Sequence, residues 1–286
     1  MKVTYREMQT HADYHACVEL QQETWGQDFT EIVPPTILMI AQKLGGIVAG
    51  AFDENGKLVG FVFSQAGLME NHLMNWSQML AVRTEVRGQG IGRQLKLFQR
   101  ELLLERGIEF VYWTYDPLVA RNAHLNLNKL GARIQSYVEE MYPSDNGSEL
   151  HRGMSLDRFI VQWPLADANV HRILSGEMPA ASKRHLDNAP VVNAEWRGDE
   201  LVPVDQELVL ADNVRVEIPK DIARIQELSL PQAAQWRMNT RRVFVHYLNS
   251  GHQVTQFSCD RGRCFYVLQR PLVKDQNQEE MNHVFL

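Results

Sequence analysis

The stretch Val82-Arg83-Thr84-Glu85-Val86-Arg87-Gly88-Gln89-Gly90-Ile91-Gly92-Arg93 follows an apolar run, Met79-Leu80-Ala81-Val82, and leads into a long segment of alternating apolar and polar residues. The run reads as a strand and the three glycines as a tight turn. Arg93 to Arg106 reads as a helix, with Leu95, Leu97, Phe98, Leu102, Leu103 and Leu104 apolar and Gly107 at the stop position. A strand that feeds a glycine-rich turn into a helix aims unpaired backbone N–H groups and the positive end of the helix dipole at one spot. That spot suits a phosphate. Glycine serves there because a side chain would block the approach of ligand oxygens and because some turn residues need positive φ.

Spacing narrows the choice of ligand. A nucleotide-binding P-loop needs Lys-Ser or Lys-Thr after its last glycine, and Gly92 is followed by Arg93 and Gln94. A dinucleotide fingerprint needs G-x-G-x-x-G, and here the third glycine falls one place early; Asp116, at the end of the next candidate strand, keeps a nicotinamide oxidoreductase as a rival. The spacing that fits is Arg87-x-x-Gly90-x-Gly92. With Leu80-Ala81-Val82 before it and Arg121-Asn122-Ala123 to Leu130-Gly131-Ala132 after it, this pattern resembles the acetyl-CoA site of the GNAT N-acyltransferase superfamily. Tyr115-Asp116-Pro117-Leu118 and Arg121 to Asn126 resemble a little-characterised bacterial group within it. Some GNAT proteins near that group are linked to N-acylation, including N-succinylation, of amino acids.

The resemblance implies acetyl-CoA, or another acyl-CoA such as succinyl-CoA, as cosubstrate. The backbone of Leu80, Ala81 and Val82 would pair with the pantetheine arm, and one of those N–H groups would polarise the thioester carbonyl. The N–H groups of Gly88, Gln89, Gly90, Ile91, Gly92 and Arg93 would hold the pyrophosphate, Arg87 matches the family's Arg/Gln position, and Asn122 would bond the pantetheine or cap its helix. The chain departs from the family at the usual tyrosine acid, where it has Leu127. The slot of the usual glutamate base falls near Tyr115, with Asp116 beside it, and these two are the catalytic candidates. Each also has a plainer reading, Tyr115 as packing and Asp116 as a turn former before Pro117. His124, Ser77, Gln78, Glu139, Glu140 and Tyr142 are further polar residues near the expected site, and Arg121 is the first cation to inspect for a carboxylated acyl group.

The chain has 286 residues, 44% of them hydrophobic, enough for one large core or two modest ones. A net charge of -6 argues against a general nucleic-acid binder, and Arg241-Arg242 reads as a solvated helix face. No run approaches the ~20 apolar residues of a membrane span, no metal site is expected, and the reading is of a cytoplasmic protein. Three cysteines give no disulfide framework. Cys259 and Cys264 would face each other across a hairpin, and in a reducing compartment both are expected as thiols.

Taken in order, the chain predicts a strand at Val3–Met8, a Thr10-capped helix His11–Trp25, a helix from Pro34-Pro35 to Leu44, and a hairpin turning at Asn55-Gly56. A loop from Met69 to Asn75 precedes the cofactor strand and its helix. After them come a strand Ile108–Tyr115, a helix ending at Gly131, a strand Arg133–Met141, a polar loop from Pro143 to Gly153, and a strand Arg158–Trp163. The expected class is α/β (α+β), a mixed and mostly antiparallel twisted sheet flanked by helices, with a smaller C-terminal α/β domain. Residues 1–165 would form the catalytic domain, 166–205 a linker or excursion, and 206–286 an accessory domain or a degenerate GNAT-like half. The function this implies is transfer of an acetyl or succinyl group from CoA to a primary amine of a small molecule, such as an amino acid, in a ternary complex. A non-catalytic CoA-binding sensor is the alternative, neither nucleic acid nor membrane is a partner, and a homodimer is left open.

Overall fold

The computed structural model describes residues 2–69, 71–148, 154–177, 188–260 and 262–271. Residues 149–153 of the predicted polar loop, and 178–187 where the linker was expected, lie outside the described residues. The chain divides into two compact units, Met1–Trp113 with Asp145–Arg152 and Gln162–Ala168, and Thr114–Ser144 with Gly153–Val161 and Asn169–Leu286. The proposed division at 165 and 205 rests on the sequence alone.

The first unit opens with β1 (Thr4–Glu7), α1 (His11–Trp25) and α2 (Pro35–Lys43), then β2 (Ile47–Phe52), β3 (Leu58–Met69), β4 (His72–Val82) and α3 (Ile91–Glu105). Helix α1 starts where Thr10 caps it, the Thr10 side chain accepting from Asp13 N while the Asp13 carboxylate takes the cap's own N–H. The β2–β3 turn is held by Asp53, whose Oδ1 accepts from Asn55 N at 2.9 Å and Lys57 N at 2.8 Å. Gly56 alone there has positive φ, 79°. The expected loop at Met69 to Asn75 is instead strand, β3 and β4 pairing out to Met69 and His72 with Asn71 turning at φ 63°.

Strands β5 (Phe110–Tyr115), β6 (Arg133–Tyr142) and β7 (Leu156–Pro164) complete a sheet of order β1-β2-β3-β4-β5-β7-β6. β1 through β4 are antiparallel neighbours, and β4 and β5 are parallel. The expected α/β class with a mixed, mostly antiparallel sheet is therefore what the chain forms. In the first unit α1 and α2 bury Cys17, Leu20 and Leu38 against Val48, Phe61, Phe63, Met79 and Ala81. Helix α3 covers the opposite face, its Leu95 and Ile91 lying over Gly60, where a Cβ would meet them at 3.2 and 3.3 Å.

In the second unit, α4 (Ala120–Ala123) is followed by a π-helix over His124–Leu130, ended by Gly131 at φ 73°. Helix α5 (Ala168–Ser175) and the paired strands β8 (Ala194–Arg197) and β9 (Glu200–Pro203) fall where a linker was expected. The tail then gives β10 (Asn213–Ile218), α6 (Ile222–Leu228), α7 (Leu230–Asn249), β11 (Gln253–Asp260) and β12 (Arg263–Gln269). Its three strands form a separate antiparallel sheet of order β10-β12-β11 and do not continue the larger one. Cys259 and Cys264 are directly opposite in that hairpin and form a disulfide, correcting the expectation of two thiols.

Candidate functional site

Strand β4 pairs with β5 only at Asn75 with Val111 and Trp76 with Tyr112. From Ser77 to Val82 it runs on with β3 on one side, Phe61 opposite Ala81 and Val62 opposite Leu80. The two parallel strands thus part like a fork, with its apex just beyond Trp76. In the β3–β4 ladder the register shifts: Phe63 faces Met79 but Ser64 faces Ser77, so Gln78 is an extra residue, a β-bulge. The bulge reverses the alternation of side chains. Met79 and Ala81 enter the α1–α2 core, whereas Asn75 and Ser77 meet α3.

The turn after β4 is fixed by its own backbone. Arg83 N donates to Val59 O at 2.9 Å, Arg83 Nε to Leu58 O at 2.7 Å, and the Arg83 guanidinium pairs with Glu23. Arg87 Nε donates to Val82 O at 3.0 Å, which ties the turn to the end of β4. Gly88 and Gly90 have φ of 81° and 80°, left-handed values that an L side chain resists. Gly90 is the N-cap of α3 and no side chain caps it, so the first-turn N–H groups of Ile91, Gly92 and Arg93 lie at an open helix start. Gly92 differs. Its φ is not positive, and a Cβ there would make ordinary contacts of 3.7 Å with Val82 and 3.8 Å with Leu80. The protein itself has room for a methyl at 92.

The face of α3 against the sheet carries polar groups that the expected apolar stripe did not include. Ile91, Leu95 and Leu103 are buried there with Lys96 and Gln99, while Leu97, Phe98 and Leu102 are only partly covered. Lys96 is 2% exposed. Its Nζ donates to Ser77 Oγ at 2.9 Å and Gln99 Oε1 at 2.8 Å, and lies 3.9 Å from the ring centre of Trp113. Burial lowers its pKa from 10.5 to about 7.

The remaining predicted residues lie in the second unit. Tyr115 is 4% exposed, its hydroxyl 3.3 Å from that of Tyr266, and burial pushes its pKa well up. Asp116 accepts from Arg237 Nη2 at 2.5 Å and from Leu118 N at 2.8 Å, with Arg158 Nη1 at 3.9 Å. Burial raises the Asp116 pKa, but the two guanidiniums outweigh it and hold the carboxyl below its usual range. Asn122 lies inside its helix and Val119 is the N-cap, so capping is not its role. Glu139 and Glu140 pair with Arg241 at 3.4 and 3.3 Å. Arg241 also holds Asp157 and is largely buried, which corrects its reading as a solvated face residue. Arg121 is exposed, and burial lowers the pKa of His124.

Among the described residues no cluster of His, Cys, Asp and Glu could hold a metal ion, and no helix is long and apolar enough to cross a membrane. Residues 14–131 match the acetyltransferase (GNAT) family model. No curated protein sequence matches the chain. Among solved structures it is similar to the ribosomal-protein-S18-alanine N-acetyltransferase of Escherichia coli, at 20% identity over 58% of this chain and 96% of that one, with a TM-score of 0.44. It is also similar to a phosphinothricin acetyltransferase of Sinorhizobium meliloti in complex with acetyl-CoA, at 20% identity over 57% and 89%, with a TM-score of 0.44. Likenesses this distant say nothing of substrate. The forked strands and the glycine turn both lie within residues 14–131, the part of the chain that matches the acetyltransferase (GNAT) family model.

Proposed function

We propose that this chain transfers an acyl group from an acyl-CoA thioester to a primary amine of a small molecule by direct attack in a ternary complex. The observation that supports this most is the fork. Beyond Trp76 the β5-facing edge of β4 parts from β5, and an extended pantetheine arm would add there as a strand on the backbone of Leu80, Ala81 and Val82. At the far end of β4, the N–H groups from Gly88 to Arg93 would take the pyrophosphate, with Arg87 beside them. Gly92 supports the same reading, because its own surroundings would accept a methyl but a phosphate lying against the backbone would not.

Proton transfer is assigned differently from the sequence expectation. A carboxylate that serves as base must be free to accept a proton, and Asp116 is engaged by Arg237. The Tyr115 hydroxyl is buried against Tyr266 and holds its proton. Both residues are better suited to holding the second unit together. Asn122 remains a candidate for the pantetheine, Arg121 for a carboxylated acyl group, and a cytoplasmic protein the setting proposed.

Isothermal titration with acetyl-CoA and succinyl-CoA, followed by thiol release against an amine panel, tests the proposal. Saturable binding with thiol release from one class of amine supports it. Binding with no release from any amine would favour the non-catalytic sensor, and binding of NAD(P) in place of CoA would overturn both.

A further inference from the structure

A buried lysine is expensive to keep charged without a counter-ion, and its neighbours decide how it is held. Among the described residues the groups that Lys96 contacts are uncharged: Ser77 from β4, Gln99 from its own helix, Trp113 from β5 and, at 5.8 Å, Trp163 from β7. Among the described residues no carboxylate pairs with it. Its position is as telling as its environment. Ser77 and Trp113 are the first residues of β4 and β5 beyond their last pair, Trp76 with Tyr112, so Lys96 touches both arms of the fork at its apex. Asn75, the neighbouring pair residue, is fully buried; its Oδ1 accepts from Gln99 Nε2 at 3.4 Å and, among the described residues, its Nδ2 has no partner. Ser77 is next to the bulge at Gln78.

We propose that Lys96, acting through the hydroxyl of Ser77, carries the proton of the attacking amine to the departing thiolate, a step that rests on the acyl-transfer reading above. As the nitrogen–carbon bond forms, the amine releases a proton to Ser77 Oγ, whose own proton passes to the free amine of Lys96. As the carbon–sulfur bond breaks, the ammonium returns that proton by the same hydroxyl to the sulfur. One bond forms, one breaks, and the proton lost by nitrogen ends on sulfur with no outside acid or base. A closed shuttle suits a group sealed from solvent. It also fills two gaps, the leucine at 127 in place of the usual tyrosine and the engaged Asp116. With a pKa near 7, Lys96 has its free-amine form present at neutral pH and can hand a proton to a thiolate whose own pKa is about 8.5. Because Lys96 touches the substrate only by way of Ser77, it is a positioning residue.

The test is steady-state thiol release from acetyl-CoA with the best amine of the panel, between pH 5.5 and 9, for the full chain and its K96M, S77A and S77T variants. Lys96→Met and Ser77→Ala are expected to lower kcat by about 100-fold, with KM for acetyl-CoA changed by less than about threefold. Ser77→Thr, which keeps the hydroxyl, is expected to restore most of kcat. The wild-type rise of kcat with a midpoint near pH 7 should vanish in Lys96→Met. If Lys96→Met and Ser77→Ala keep both kcat and that rise, the shuttle is overturned while acyl transfer stands. If Lys96→Met does not fold, Ser77→Ala decides alone by the same two readouts. No thiol release by the wild-type chain from any amine would overturn acyl transfer itself, and the shuttle with it.

Discussion

Arg237 Nη2 donates a 2.5 Å hydrogen bond to Asp116 Oδ2, joining α7 to the turn after β5 across 121 residues of sequence. The side chain of Arg237 is 3% exposed and that of Asp116 18%. Removing one partner of such a pair leaves the other buried and uncompensated, which is the expensive way to break it. Asp116→Asn is therefore expected to destabilise the chain by about 3 kcal/mol, the low end for a buried pair because Asp116 is not fully covered. Urea unfolding measures it. A loss of activity with unchanged stability would instead return Asp116 to the role of base.

The same pair sets an acid limit. Arg237 and Arg158 hold the folded-state pKa of Asp116 below its unfolded value, so its contribution is present above the unfolded pKa of about 3.9 and is lost as pH falls through the folded one. Wild type should lose stability over that acid window, and Asp116→Asn should show a smaller loss. Parallel curves for the two proteins would contradict this.

Lys96 gives a dependence of the same sign in a higher window of pH. Its folded pKa is lowered, so between about 7 and 10.5 the unfolded chain binds the proton that the folded chain does not. Stability from this group should rise as pH rises through that window. The difference in unfolding free energy between wild type and Lys96→Met is expected to move in favour of wild type from pH 7 to pH 10, and a flat difference would place a carboxylate or water beside the amine.

The three turn glycines should separate into two kinds. Gly88→Ala and Gly90→Ala force left-handed backbone on a side chain and should each lower stability by roughly 1 kcal/mol. Gly92→Ala meets only ordinary contacts in the protein, so its stability should hold while affinity for acetyl-CoA falls by about tenfold or more. Thermal melts and calorimetry on the same three variants read both quantities.

What could be read from the chain alone was local. Thr10 announced the start of α1, and the glycines at 88, 90 and 92 announced the turn, because caps and positive φ depend on neighbouring residues. The bulge at Gln78 was not legible, since no residue type demands one, and it moves Asn75 and Ser77 to the α3 face. Lys96 was passed over because charged residues usually lie outside. A signal was present: Ile91, Leu95, Gln99 and Leu103 recur every four residues, which places Gln99 and the adjacent Lys96 on the inner face in spite of their polarity. The partners of Tyr115 and Asp116 come from β12 and α7, more than a hundred residues away, and no local pattern could supply them. The Cys259–Cys264 bridge was not foreseen, though the hairpin that aligns the two was.

Everything proposed for catalysis depends on whether coenzyme A enters the fork between β4 and β5, and calorimetric titration of the full chain with acetyl-CoA asks this directly. The predicted result is saturable one-to-one binding, displaced by free CoA, absent with NAD, and weakened by Gly92→Ala without loss of fold. A chain that is folded by circular dichroism and gives no saturable heat with acetyl-CoA or succinyl-CoA would contradict it.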